Sequence, residues 1–260
     1  MGRVFRAADT KESASEDLVR MMTPSSLMSQ AMIWISVPLL IFIFGWFRLW
    51  IACAASLLLV VALLPVFGVG ARKLYIPDSM KSVRLDKSWV IMAVAIFLFL
   101  IWFGHGGLVR QPWDWQFRNA VFFDLVRHPW PVVYDAETPR LLCYYFVFFL
   151  PGALVSKFTG SIMIGDLVQL LYAFWGVVLG YSLICSLCGG RSRWWMGVIW
   201  LCFAGADKLT CTLLAFNTPI GEWWNNPLFI YDYYSSYTIV VHFGQIFNQA
   251  IPYWILLPLI

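Results

Sequence analysis

The chain has 260 residues, 61% of them hydrophobic and only 12% charged, with fifteen Trp and twenty-one Phe. That composition excludes a soluble domain and points to a polytopic membrane protein. The formal charge of +4 is spread along the chain, which argues against a nucleic-acid-binding face.

Residues 1–30 mix Arg3, Arg6, Lys11 and Arg20 with Asp9, Glu12, Glu16 and Asp17 and read as a solvated tail without a cleavable signal peptide. Residues 31–70 are apolar except for Arg48. A crossing takes roughly 20 helical residues, so this run is two spans that turn at Arg48, among Trp46, Phe47 and Trp50. Pro38 and Pro65 are expected to kink or end these helices. The loop 71–88 carries Arg72, Lys73, Lys81, Arg84 and Lys87 against Asp78 and Asp86, which makes it cytoplasmic by the positive-inside rule. The N-terminus, two spans earlier, falls on the same side. A third span, 89–103, then delivers residues 111–140 to the outer face.

That segment, QPWDWQFRNAVFFDLVRHPWPVVYDAETPR, is a polar island between apolar runs. Charges of this kind do not lie in hydrocarbon without partners. Residues 141–158 are apolar but broken by Pro151-Gly152. If they span, Arg191 and Arg193 fall outside. If they lie along the outer interface, residues 166–187 cross inward and those arginines become cytoplasmic, which the charge rule favours. Residues 194–214 return outward and contain Asp207-Lys208. A second outer loop at 215–237 holds Glu222 and Asp232. Residues 238–247, with His242, enter a last span that starts near Asn248. The fold expected is therefore an all-α transmembrane bundle of about six spans, with outer loops at about 105–165 and 215–247 and interfacial helices in the first. The chain stops inside the apolar run IPYWILLPLI, so it reads as the N-terminal part of a longer protein.

The six cysteines lie in or beside apolar runs and read as buried small hydrophobes. Cys185 and Cys188 have CxxC spacing but lack the further ligands of a zinc site. Most of the tryptophans read as interfacial belt residues. The carboxylates of the first loop carry more information. Asp114 sits between Trp113 and Trp115, where it suits general-base work and equally well caps a helix beginning at Trp115. Asp124 follows ten residues on. On a helix, Arg118, Val121 and Leu125 share one face, and Phe117, Asp124 and Arg127 lie towards another.

The order of these features resembles the GT-C superfamily of polytopic glycosyltransferases, in particular the lipid A aminoarabinose transferase and protein O-mannosyltransferase branch. The residues that carry the resemblance are Asp114, then His128-Pro129-Trp130-Pro131, then TPRLLCYY at 138–145 and KFTG at 157–160. It covers about residues 104–195. Thr-Pro-Arg stands where the family has Lys-Pro-Pro, and two additional spans precede the first outer loop. The resemblance implies sugar transfer from a polyprenyl-phosphate donor on the outer side of a bacterial inner membrane. It implies Asp114 as base or metal-orienting carboxylate, with Asp124 as its substitute. Arg118, Arg127 and Arg140 would bind phosphate, as guanidinium does bidentately. His128, Glu222, Asp232 and His242 would complete the pocket, and a divalent metal would be compatible with it. A transporter or flippase for a lipid-linked or small polar solute is the alternative, and a non-enzymatic assembly component a third reading.

Overall fold

A computed structural model describes residues 21–69, 76–109, 111, 115–134, 137–197, 251–252 and 255–256. Six helices carry them: α1 Pro24–Trp46, α2 Leu49–Leu63, α3 Lys87–Trp102, α4 Trp115–Arg127, α5 Leu150–Thr159 and α6 Ile162–Leu187. Three stretches are long and apolar enough to cross a membrane: Pro24–Trp46, Leu49–Phe67 and Ile162–Leu187. The chain is thus a mostly helical membrane protein. The fifth and sixth expected spans lie almost entirely outside the described residues, as does the second outer loop.

Local chemistry sets the helix ends. The Thr23 side chain accepts from Ser26 N at the start of α1, Asp86 from Trp89 N at the start of α3, and Ser161 from Ile164 N at the start of α6. Helix α1 begins at Pro24, seven residues before the expected apolar boundary, because Thr23 and Pro24 form a good helix start even though Ser25, Ser26 and Ser29 are polar. The assigned tail of residues 1–30 is therefore helical from Pro24. Pro38 neither ends nor divides α1, and Pro65 opens a short 3-10 turn, Leu64–Phe67, that finishes α2. Arg48 stands at the turn between α1 and α2.

Two short antiparallel pairs supplement the helices. Strand β1, Met21–Met22, pairs with β2, Val83–Arg84; β3, Val133–Tyr134, pairs with β4, Arg140–Leu141. The first pair gathers the starts of α1 and α3 at one end of the bundle. The end of α6 arrives at the same place, because Lys81 N donates to Ser186 O and Arg84 N to Gly190 O. Arg191 and Arg193 therefore share an end with Lys81 and Arg84. Helix α5, at ten residues, reaches roughly 15 Å, half the hydrocarbon thickness, and folds back on α6 at the opposite end.

Within hydrocarbon, helix association depends on close packing and on polar contacts between helices. Helices α1 and α6 join through Trp34 and Tyr172. Trp34 Nε1 donates to Tyr172 O at 2.9 Å, the Tyr172 hydroxyl donates to Trp34 O at 2.7 Å, and the rings stack 4.6 Å apart. Gly176 makes room for the indole; a Cβ there would lie 2.6 Å from it. Helices α5 and α6 touch through Gly152, Ser156 and Gly165. Gln169 ties the same junction, accepting from Gly152 N and donating to Phe148 O. Helix α2 packs mainly on α1, leaving Leu57, Leu58, Val60 and Val61 exposed, as lipid-facing positions are.

Of the four cysteines described, only Cys185 is buried. Cys53, Cys143 and Cys188 are exposed, so the expectation of buried cysteines holds for one of them. Lipid accepts Cys53 on α2 as readily as a protein core would, and hydropathy cannot separate the two environments.

Candidate functional site

The polar segment that follows α3 is held down at both ends. At its start, Trp115 Nε1 donates to Phe103 O at 2.7 Å, and its ring meets the buried His105 edge-on. Asn119 donates to Gln111 Oε1, and Gln111 Nε2 in turn donates to Gly104 O. Gly104 has φ 93°, and a side chain there would strike Gln111, so this turn requires glycine.

Helix α4 buries Trp115, Arg118, Phe122 and Leu125, which recur every three or four residues along one stripe. Arg118 is 2% exposed, with its guanidinium 5.4 Å from the Trp115 ring centre. Its burial sets it apart from Arg127 and Arg140, the other two phosphate-binding candidates. Nine helical residues, half a turn out of phase, separate Arg118 from Arg127, and both Arg127 and Arg140 are exposed. Arg118 braces the inward face, where an apolar stripe with one long cation reads the same in sequence as a solvent-facing one.

The outward side near the end of α4 assembles the candidate site. The Tyr134 hydroxyl donates to Asp124 Oδ2 at 2.5 Å. His128 Nε2 lies 3.9 Å from Asp124 Oδ1, one helical turn on, and its ring meets that of Tyr134 edge-on at 6.2 Å. Arg140 is the cross-strand partner of Tyr134. Directly opposed residues of an antiparallel pair project from the same face of the ribbon. The β3–β4 pair therefore sets Arg140 across the ribbon from Tyr134. Burial, then the hydrogen bond to Asp124 and its charge, push the Tyr134 hydroxyl up to about 12. Tyr134 is thus a proton donor at neutral pH, occupying one carboxylate oxygen of Asp124 and leaving the other towards His128.

The platform beneath is rigid. Lys157 of α5 donates to Val126 O at 3.1 Å and His128 O at 2.6 Å, and Trp130 Nε1 donates to Leu125 O at 2.8 Å. These donors satisfy the carbonyls left open at the end of α4, and the Lys157 charge complements that end of the helix dipole. Lys157 also lies 5.3 Å from the centre of the Trp130 ring, and burial lowers its pKa below that of a free lysine. Trp130 itself packs on Trp46 at the end of α1, where a Cβ on Gly45 would meet it at 2.8 Å.

The described part of the chain thus brings Asp124 and His128 together with Tyr134, sets Arg140 across the ribbon from Tyr134, leaves Arg127 exposed at the end of the same helix, and buries Arg118. Asp114, Glu222, Asp232 and His242 lie outside the described residues. Sequence reasoning missed Tyr134 and Lys157. Tyr134 sits in the stretch VVYD, whose β-branched and aromatic residues are a strand signal, but its partner ten residues earlier is fixed only by the hairpin.

A divalent metal would need more than this cluster offers. Among the described residues no three His, Cys, Asp or Glu side chains converge, and Asp124 and His128 supply two. Compared with protein-family models, curated proteins and solved structures, the chain matches none, so its resemblance to the GT-C superfamily rests on residue pattern alone.

Proposed function

We propose that the chain is a membrane glycosyltransferase that moves a sugar from a polyprenyl-phosphate donor to an acceptor on the outer side. The observation that supports it is the pairing of Asp124 with Tyr134 and His128, with Arg140 opposite Tyr134 in the β3–β4 ribbon, on a braced platform at one end of the bundle. The chemistry needs a base for the acceptor hydroxyl and cations for the departing lipid phosphate. Asp124 Oδ1 takes the proton, and Tyr134 holds the carboxylate in place and stabilises its charge. Arg140 and Arg127 bind the phosphate. Asp114 is the other carboxylate proposed for the base. Glu222, Asp232 and His242 are assigned to the acceptor side.

Loss of a general base typically costs about 10²–10⁴-fold in rate. Asp124→Asn and Asp114→Asn, made separately in the whole protein, are assayed in membranes with a polyprenyl-phosphate sugar. At least one is expected to abolish transfer while inserting normally. Two fully active variants would remove the reading.

Asp166 favours a second reading, a transporter or flippase. It is a half-buried carboxylate within Ile162–Leu187 and makes no hydrogen bond among the described residues. It lies about one turn into the helix, and ionisable groups within a span commonly line a translocation path. Asp166→Asn would then stop solute movement in proteoliposomes and leave sugar transfer untouched.

A further inference from the structure

The end of the bundle opposite the candidate site is knitted from loops a hundred residues apart. Lys81 N donates to Ser186 O at 2.9 Å, and the Ser186 hydroxyl returns a bond to Lys81 O at 2.6 Å. Arg84 N donates to Gly190 O at 2.9 Å. Below them, the Tyr181 hydroxyl and Ser192 Oγ are 2.7 Å apart, and Trp89 Nε1 donates to Ser182 Oγ at 3.1 Å. Gly190, at φ 78°, is essential to this junction, since a Cβ there would lie 2.3 Å from Ser82 O.

The result is a fixed basic surface. Lys81, Arg84, Lys87, Arg191 and Arg193 are all exposed. Only two described carboxylates face them, Asp78 and Asp86, and the latter is occupied in capping Trp89 N. None of the five cations forms an ion pair among the described residues; the Lys81 ammonium bonds the Asp78 backbone carbonyl instead. Trp194, 73% exposed, and Trp195, whose ring lies 5.9 Å from the Arg193 guanidinium, stand beside the cluster. Indole rings settle at the level of lipid headgroups. The ends of the apolar helices α1, α3 and α6 meet at this surface, which places the five cations at headgroup depth.

We propose that this surface is a binding site for anionic phospholipid headgroups, with the phosphate held between Arg84 and Arg191. The Arg84 N to Gly190 O bond makes those two arginines neighbours across the junction, and two guanidiniums bracket a phosphate more selectively than a diffuse charge does. Lys81, Lys87 and Arg193 add attraction to the surrounding anionic leaflet, roughly fivefold in partitioning for each basic residue. The site is independent of the glycosyltransferase reading.

The test uses the whole protein purified in neutral detergent, with phosphatidylglycerol, phosphatidylcholine or inorganic phosphate added. Retained lipid is counted by native mass spectrometry, and the melting midpoint is followed in parallel. Phosphatidylglycerol is expected to be retained at least tenfold over phosphatidylcholine and to raise the midpoint, with inorganic phosphate doing neither. Arg84→Gln with Arg191→Gln should abolish the preference, and Arg84→Lys with Arg191→Lys, which keeps the charge but not the guanidinium fork, should retain only a minor part of it. Equal retention of the two lipids by the wild type overturns the proposal without recourse to any variant. So does stabilisation by inorganic phosphate alone, which would mark a free-anion site. A glutamine pair that melts as the wild type does in phosphatidylcholine yet keeps the preference overturns the assignment to these arginines.

Discussion

Gly165→Ala tests whether the candidate site depends on a backbone contact between α5 and α6. A Cβ at Gly165 would lie 1.8 Å from Ser156 Oγ and 2.6 Å from Gly152 O. The hydroxyl can swing away, but the carbonyl belongs to the α5 backbone. Moving it from 2.6 Å to the 3.4 Å of ordinary contact requires α5 to retreat by about 0.8 Å. Overpacking of this kind costs about 1–3 kcal/mol, which for a chain of this size is a fall in melting midpoint of roughly 2–12 °C. The retreat also carries Lys157 away from Val126 O and His128 O, so the end of α4 loosens and Asp124 with it. The assay is a thermal melt in detergent, paired with amide hydrogen exchange across residues 123–134. Exchange should quicken there before the bundle melts. Adding Ser156→Gly should restore part of the midpoint, because it removes the nearer contact and leaves the carbonyl in place. A Gly165→Ala protein melting within about 1 °C of wild type, with unchanged exchange, would refute the close crossing.

Cysteines introduced at Ser161 and Arg191, in a background lacking the exposed Cys53, Cys143 and Cys188, should be labelled from opposite sides of the membrane. The helix between them has 26 residues and is roughly 39 Å long, and labelling from one side would show that it does not cross. The Tyr134 phenolate should form about two pH units above a free tyrosine, read from near-ultraviolet absorbance. Because its folded value is raised, this group's contribution to stability is present below pH about 10 and is lost as pH rises through about 12. Asp124→Asn should bring the titration part of the way down and leave the share due to burial; an unchanged titration would break the link between the two residues.

Much of the framework was legible in the residues because its causes are local. Two apolar runs meeting at Arg48, Asp86 before an apolar helix, and Asp124 and His128 one turn apart each depend on neighbours a few positions away. The whole-chain composition sufficed for the membrane class, since so apolar a chain has no other place to put its surface. The break at Pro151-Gly152 was visible too, yet hydropathy left residues 141–158 two paths. Tertiary structure supplied what hydropathy does not encode, a fit of shapes in which Gly152 and Ser156 let the ten-residue α5 lie directly on Gly165 of α6. Packing likewise turned Arg118 inward while Arg127, on the same helix, stayed exposed. Only the β3–β4 pairing set Arg140 opposite Tyr134, and only the bonds of Ser186 and Gly190 joined two basic loops into one surface. Each of these depends on groups brought together across a fold, whose meeting is fixed by packing rather than by the preferences of either residue.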